Sequence, residues 1–350
     1  MIFSEQIISW YEQKKRALPW RGIKNPYHIW LSEIILQQTR VEQGLPYYKK
    51  FVKHYPTVAH LAQADEQEVL KLWQGLGYYS RARNLHYAAK QVMNDHQGDF
   101  PNDYKNILSL KGVGEYTAAA IASFAFDLPH AVVDGNVFRL LSRYFGIDTP
   151  INSTTGKKEF FALANELIDN NNPSTYNQGI MEFGSQQCKP TNPNCLDCPL
   201  QEGCVAHQEN RITELPVKLK TIKQKKLYFD YFFFKRKGHT YLKKREGKGI
   251  WQNLYDFPLI EKENRTNKEN ILQEAEQWIN GNNLEIISVS THYKHILSHR
   301  IIYARFWEIE IDQEPSLISA KKIKLEDLHT LPVPRLIEVF LQEKELILSS

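Results

Sequence analysis

The chain has 350 residues, a formal net charge of +4 and 42% hydrophobic residues. This length predicts two or three domains of ordinary size, and a charge so near zero permits a polyanionic partner without requiring one. Charged residues begin within a few positions of the N-terminus and the small apolar run 118–126 is too short to cross a bilayer, so we expect a cytoplasmic protein with no export signal and no membrane association.

Apolar residues recur at three- and four-residue spacing through the first 205 residues, which indicates a helical region. This pattern predicts helices over 4–15, 30–41, 66–73, 80–94, 116–125, 135–144 and 157–169. Asn25 and Pro26 are suited to cap and open the second helix, because a proline in the first turn loses no hydrogen bond.

Beyond residue 205 the sequence changes character. Aromatic and β-branched runs bounded by turn residues predict strands over 227–234, 240–244, 286–290 and 301–309. Between the two parts, residues 217–226 carry five lysines and no acid, which fits either a solvated linker or a segment that lies along a phosphate backbone. We therefore predict a helical domain over 1–208, a basic linker over 209–226 and a mixed α/β domain over 227–350.

The only cysteines of the chain lie in one short window with the spacing C-x6-C-x2-C-x5-C: Cys188, Cys195, Cys198 and Cys204. In a reducing compartment such a set predicts metal ligation rather than disulfides. Zinc accepts four thiolates, although zinc ribbons usually use two C-x2-C pairs and only one is present here. A [4Fe–4S] cluster also takes four thiolates.

A glycine-rich turn joins two of the predicted helices at residues 110–114. Gly112 and Gly114 allow a tight turn whose backbone N–H groups, beside a helix N-terminus, can bind a phosphate. The segment is therefore a helix-hairpin-helix candidate. An ordinary interhelical turn has the same pattern and remains the alternative.

Two carboxylates are candidates for catalysis. Asp134 precedes a predicted helix, where it is either only an N-cap or also an ionised carboxylate held by N-terminal amides. Glu33 lies among apolar neighbours, so unless it is a surface residue its pKa should be raised and it becomes a plausible proton donor. One neutral acid and one ionised carboxylate are the pair that breaks a glycosidic bond through an oxocarbenium-like state.

Two further segments have the composition of a polymer-binding surface. Residues 75–83 combine glycines, two tyrosines and two arginines, so a ring could enter a base stack while cations hold phosphates; core packing of a tyrosine explains the pattern equally well. Residues 292–300 carry three histidines in a predicted loop between strands. No acid or cysteine completes a zinc site there.

With these motifs the chain resembles the helix-hairpin-helix DNA glycosylases, and specifically the MutY-type adenine DNA glycosylases, over essentially its full length. The matching segments are Leu18-Pro19-Trp20-Arg21, Ser32-Glu33, residues 36–39, residues 75–79, Gly112-Val113-Gly114, residues 133–136 and the cysteine spacing. The resemblance implies an all-α helix-hairpin-helix domain with a [4Fe–4S] cluster loop at 188–204, followed by an α+β Nudix-like domain. The implied reaction flips adenine out of a mispair with 8-oxoguanine or guanine in duplex DNA and hydrolyses its N-glycosidic bond.

The resemblance also implies roles for individual residues. Glu33 matches the acid that protonates the adenine ring nitrogen, Asp134 the carboxylate that stabilises the sugar cation, and Tyr116 and Asn136 supporting residues. The implied adenine pocket is lined by Arg16, Leu18, Trp20, Arg21, Arg81 and Glu182. The implied DNA contacts are Gln38, Tyr78 as the wedge, Lys111, Gly112, Val113 and Gly114 in the hairpin, and Leu297, Ser298 and His299 in a loop where the family has Phe-Ser-His. In this family the four cysteines hold the cluster, and we expect a monomer, associated with the nucleoid in a bacterium.

Two alternative functions remain to be weighed. A bifunctional glycosylase-lyase acting on oxidised pyrimidines, as in endonuclease III-type enzymes, needs a lysine at the position of Tyr116, since a phenol cannot form the Schiff base. A non-catalytic iron–sulfur DNA-binding protein has no need for both Glu33 and Asp134. Residues 261–278 lack the clustered arginine and acids of a pyrophosphate-cleaving Nudix helix, so we expect no hydrolysis in the distal domain.

Overall fold

The computed structural model describes residues 3–219, 224–278, 284–317 and 319–348. The chain divides into two compact units, residues 1–63 with 84–220 and residues 64–83 with 221–350. Residues 64–83 lie within the predicted domain 1–208 by sequence, yet they cluster with the second unit. The limits at 208 and 226 remain predictions, and residues 220–223 of the predicted basic linker lie outside the described part.

Helices account for most of the chain as far as residue 208, as predicted. They are α1 Phe3–Lys14, α2 Pro26–Leu36, α3 Val41–His54, α4 Val58–Gln63, α5 Glu66–Trp73, α6 Ser80–Asp95, α7 Tyr104–Ser109, α8 Glu115–Phe126, α9 Gly135–Phe145, α10 Thr154–Leu167, α11 Pro173–Gln186 and α12 Val205–Gln208. No helix in the described ranges has both the length and the apolar character that a bilayer crossing needs.

Helix α2 shows how local residues determine where a helix begins and ends. The side chain of Asn25 accepts a hydrogen bond from the backbone of His28, and Pro26 follows in the first turn, so the predicted cap is confirmed. The predicted end at residue 41 is wrong, because Gln38 has a left-handed backbone (φ 55°) and Val41 begins α3.

Helix α11 runs through the core of the first unit and was missed in the sequence, because glycines interrupt its apolar pattern. These glycines allow close packing: a Cβ at Gly179 would lie 3.1 Å from Ile7, and one at Gly184 would lie 2.8 Å from the Cβ of Asn136. A glycine inside a helix costs about 1 kcal/mol relative to alanine. Because these positions carry no side chain, α11 can pack closely against α1 and against the start of α9.

The second unit is built on two sheets. Its strands are β1 Lys225–Lys235, β2 His239–Lys244, β3 Tyr255–Asp256, β4 Leu259–Lys262, β5 Leu284–Val289, β6 Tyr293–Ile296, β7 Arg300–Ile311 and β8 Ala320–Lys324. The larger sheet has the order β4-β1-β7-β5, with β6 also pairing with β7, and the smaller has the order β3-β2-β8. The unit also contains helix α13 (Lys268–Glu276), a 3-10 helix (Leu325–Thr330) and helix α14 (Arg335–Glu343), together with α5 and the start of α6 from residues 64–83.

The aromatic pattern of the distal sequence forms the core of the larger sheet. Strands β1 and β7 pair in parallel, with Phe232 opposite Trp307 and Phe234 opposite Ile309, and all four side chains are buried. The four predicted strands are confirmed, and the α+β class of this unit with them. The prediction of a loop over 292–300 is wrong in part, because β6 forms there and leaves only residues 297–299 as the turn into β7.

Candidate active site

A cavity of about 420 Å³ lies among α2, α8, α9, α11 and the segment between α1 and α2. Its volume falls within the roughly 300–1,000 Å³ that is usual for small-molecule sites. Its lining includes every predicted catalytic and pocket residue except Arg81: Arg16, Leu18, Trp20, Arg21, Glu33, Tyr116, Asp134, Asn136 and Glu182. Residues far apart in the sequence thus meet in one concave site.

Glu33 projects into this cavity from α2 and is only 7% exposed. The Tyr116 hydroxyl donates a hydrogen bond to its Oε2 over 2.9 Å. Burial is the main cause and raises the pKa of Glu33 to about 7. The Tyr116 hydrogen bond and the charge of Arg21 oppose this rise, whereas the nearby charge of Asp134 adds to it. The carboxyl group is therefore partly protonated at neutral pH.

Asp134 is the N-cap of α9, which confirms the structural part of the prediction. Its Oδ1 accepts hydrogen bonds from the backbone N–H groups of Asn136 and Val137, both over 2.8 Å, and its Oδ2 accepts one from the Asn136 side chain over 2.7 Å. Burial raises the pKa of Asp134, and these donors together with Arg139 oppose the rise. The hydrogen-bond donors favour the ionised form of Asp134, but burial outweighs them, so the pKa remains raised.

The two carboxylates share a second opening as well. A neighbouring cavity of about 380 Å³ is lined by Glu33, Tyr116 and Asp134 together with Gln37 and Gln38. The exposed Gln38, predicted as a DNA contact, therefore lies at the mouth of this second cavity. Glu33 and Asp134 thus line both cavities.

Glu182 brings two arginines to the wall of the larger cavity. Arg16 donates from Nε and Nη2 and Arg21 from Nη2, over 2.6–2.7 Å, to a Glu182 side chain that is 1% exposed. Burial would raise the pKa of Glu182, but the arginine hydrogen bonds outweigh it and hold the pKa at about 2. The result is a rigid charged cluster that presents guanidinium groups to the cavity.

Arg139 is a site-supporting residue that sequence reasoning missed. From α9 its Nη2 donates to Asn136 Oδ1 over 3.0 Å and to the Gly184 carbonyl over 2.6 Å, and its Nε donates to the Cys188 carbonyl over 2.9 Å. Arg139 thus fixes the side-chain amide of Asn136, which in turn donates a hydrogen bond to Asp134. Two positions beyond Val137 a helical side chain points to the other side of α9, away from the apolar stripe, so the sequence pattern gave no sign that Arg139 is buried.

The four cysteines lie in the loop between α11 and α12 and none forms a disulfide. Burial raises the pKa of Cys198 to about 11, and the thiols of Cys188, Cys204 and Cys195 add to the rise. Arg143 donates to the Cys188 sulfur over 3.5 Å. In the described part of the chain, no three His, Cys, Asp or Glu side chains are gathered as a single metal ion would require.

The hairpin candidate lies between α7 and α8. Gly112 has φ 79°, and a Cβ there would lie 2.6 Å from that of Asn84, so the position requires glycine. The N–H of Lys111 donates to Gln91 Oε1 over 2.7 Å, and that of the buried Val113 donates to Leu110. These two N–H groups therefore make hydrogen bonds within the protein. Lys111, Gly112 and Gly114 are exposed.

The remaining predicted residues belong to the second unit. Tyr78 is 48% exposed with a left-handed backbone (φ 48°), and its hydroxyl is 3.0 Å from that of Ser298 in the turn formed by Leu297, Ser298 and His299. Arg81 is buried in this unit, with its guanidinium 5.1 Å from the Trp73 ring and 5.6 Å from the Tyr78 ring. Burial lowers the pKa of Arg81 to about 10. Arg81 is thus not among the residues that line the cavity of about 420 Å³.

Comparison with known proteins agrees with this architecture. Residues 31–168 match the model of the HhH-GPD superfamily of base excision DNA repair proteins, and residues 231–343 match that of the NUDIX domain. An adenine DNA glycosylase of Buchnera aphidicola subsp. Baizongia pistaciae (strain Bp) is 36% identical over 308 residues, covering 87% of this chain and 84% of its own. The adenine DNA glycosylase of Buchnera aphidicola subsp. Schizaphis graminum (strain Sg) is 31% identical, over 97% of this chain and 99% of its own.

A solved structure of a thermostable thymine-DNA glycosylase superposes with a TM-score of 0.56 at 32% identity, covering 59% of this chain and 95% of the other. The chain therefore belongs to the adenine DNA glycosylase family.

Proposed function

We propose that this protein removes adenine mispaired with 8-oxoguanine or guanine in duplex DNA by hydrolysing the N-glycosidic bond, without a lyase step. The observation that carries the proposal is a buried Glu33 whose pKa is raised to about 7, facing the same cavity as Asp134. An acid that is partly protonated at neutral pH and that lines the same cavity as a hydrogen-bonded carboxylate is the combination that glycosidic cleavage requires.

In the proposed reaction Glu33 is the general acid. Because Tyr116 donates its hydrogen bond to Oε2, the proton of Glu33 is carried by Oε1. That proton passes to a ring nitrogen of the flipped adenine, and the electrons of the bond to the sugar leave with the neutral base. General acid catalysis of this kind contributes about 10²- to 10⁴-fold to the rate.

Asp134 faces the positive charge that develops on the deoxyribose. Its three hydrogen-bond donors fix its position, so it does not have to reorganise as the cation forms. Water then adds to the sugar carbon, directly or after a transient bond to Asp134, and its proton passes to the carboxylate of Glu33 or to solvent. The product is an abasic site in an intact strand.

The absence of a lyase step rests on Tyr116. Burial, together with Glu33 and Asp134, raises its pKa well above the usual value, so the phenol stays protonated as a hydrogen-bond donor. It offers no amine for a Schiff base. Within the same proposal, Arg16, Arg21 and Glu182 recognise the edge of the flipped base, together with the apolar surfaces of Leu18 and Trp20.

The remaining contacts of the proposal concern DNA and cofactor. The hairpin (Lys111, Gly112, Val113 and Gly114) and Gln38 bind the duplex, Tyr78 enters the base stack, and Leu297, Ser298 and His299 contact the oxidised guanine. Cys188, Cys195, Cys198 and Cys204 hold a [4Fe–4S] cluster, a donor set that suits it, which fastens the loop between α11 and α12. We further propose that the protein acts as a monomer, in the cytoplasm.

The decisive test is single-turnover release of adenine from duplexes containing adenine opposite 8-oxoguanine, guanine or thymine. We expect fast release opposite 8-oxoguanine, slower release opposite guanine and none opposite thymine, with strand breakage only after added base. A thymine-paired duplex cleaved as fast as the others, or strand breakage without base, would overturn the proposal.

A further inference from the structure

Residues 64–83, here called the wedge segment because they carry Tyr78, cluster with the second unit and not with the helices that surround the cavity. A partly buried polar network ties the segment to α14. Gln74 Nε2 donates to Glu338 Oε1 over 2.9 Å, and Lys71 Nζ donates to Gln74 Oε1 and to the Leu331 carbonyl, both over 3.1 Å. The segment is therefore docked through specific side chains.

The burial of Glu338 makes the docked position specific. Glu338 is only 3% exposed, and its other oxygen accepts a hydrogen bond from Arg335 over 2.8 Å. A buried polar atom is costly when it loses its partner, so a shifted docking position would leave Glu338 Oε1 without the hydrogen bond from Gln74. Gln74 is the side chain that joins the wedge segment to this carboxylate.

A second anchor holds the two ends of the wedge segment on the loop before β3. Asn253 Nδ2 donates to Glu66 Oε1 over 2.6 Å, and Arg83 Nη1 donates to the Gln252 carbonyl over 2.8 Å. Asn253 has φ 66°, a left-handed conformation that asparagine adopts more readily than most residues. The segment is thus held near its beginning, its middle and its end.

Between these anchors lies Tyr78, within hydrogen-bond distance of Ser298 in the turn after β6. We infer that Gln74, Glu338 and Asn253 are positioning residues for mispair recognition, because they hold the wedge tyrosine at a set distance from the turn that contacts the oxidised guanine. This inference rests on the proposed function and extends it: discrimination between 8-oxoguanine and guanine depends on the docking of the wedge segment as well as on the turn itself.

The test uses the full-length protein with Gln74→Ala, and Glu68→Ala, an exposed residue of α5 in the same segment, as the matched control. Single-turnover adenine release is measured opposite 8-oxoguanine and opposite guanine. We expect Gln74→Ala to reduce the ratio of the two rates by about 3- to 30-fold, the usual range for coupled positions, with the control unchanged. Asn253→Ala, which removes one of the two contacts of the second anchor, is expected to act in the same direction.

Hydrogen exchange of the backbone amides in 64–83 and 293–300 provides a readout that is independent of activity. We expect faster exchange in both segments for Gln74→Ala and parental exchange for Glu68→Ala. An unchanged rate ratio together with unchanged exchange would overturn the inference, as would an equal loss of both rates. If the parent protein itself shows no preference for 8-oxoguanine, the proposed function fails, whereas the exchange data still decide whether the segment is docked as described.

Discussion

Replacing Glu33 with glutamine tests both the catalysis and the electrostatics of the cavity. The change keeps the shape of the side chain and an oxygen that can accept the Tyr116 hydrogen bond, but it removes the ionisable proton. We expect single-turnover release of adenine to fall by about 10²- to 10⁴-fold. Duplex affinity, measured by fluorescence anisotropy, should stay within about twofold of the parent, since the protonated acid and the amide are both neutral.

The same substitution has a calculable effect on stability. The pKa of Glu33 rises from its usual 4.5 to about 7 on folding, so the folded state binds this proton more tightly. The stability that this provides is complete below pH 4.5 and is lost as the pH rises through 7. At about 1.4 kcal/mol per pKa unit, the unfolding free energy of the parent should fall by about 2.5 kcal/mol relative to that of Glu33→Gln on going from pH 5 to pH 8. Urea unfolding at the two pH values measures this difference.

The pH profile of the parent gives the matching kinetic result. Because only protonated Glu33 acts as an acid, the rate should fall by about tenfold per pH unit above pH 7. A flat profile between pH 6 and pH 9, or a glutamine variant that releases adenine at the parental rate, would refute the reasoning. So would a difference in unfolding free energy that does not depend on pH.

Three further predictions follow from the contacts of the site. Tyr116→Phe removes a hydrogen bond that lowers the pKa of Glu33, so the falling part of the pH–rate profile should move to higher pH, while the product strand stays intact on a gel run without base. Arg139→Met releases the Asn136 side chain, and we expect release of adenine to slow at least about tenfold with unchanged duplex affinity; equal losses of rate and affinity would contradict this. Gly112→Ala places a Cβ in a left-handed turn against a neighbouring side chain, and it should cost about 1–3 kcal/mol in thermal or urea unfolding and weaken duplex binding at every base pair tested.

The features that sequence predicted correctly are local ones. Asn25 and Asp134 cap helices with their own side chains, and the strands of the second unit follow from short runs of aromatic and β-branched residues. Such preferences act over a few residues, so they can be read without knowing what lies opposite. Helix α11 was missed for the same reason, because the glycines that allow its close packing weaken the local pattern.

The arrangement of the site depended on tertiary structure. The sequence contained two candidate carboxylates, but only folding brought Glu33 and Asp134 to one cavity and raised the pKa of Glu33, because burial and the neighbouring charge come from residues about a hundred positions away. Tertiary contacts also assigned the wedge segment to the second unit and left Arg81 outside the lining of the cavity. Sequence alone therefore determined which residues are chemically capable, and long-range packing decided which of them meet, since desolvation and contact are properties of the folded chain.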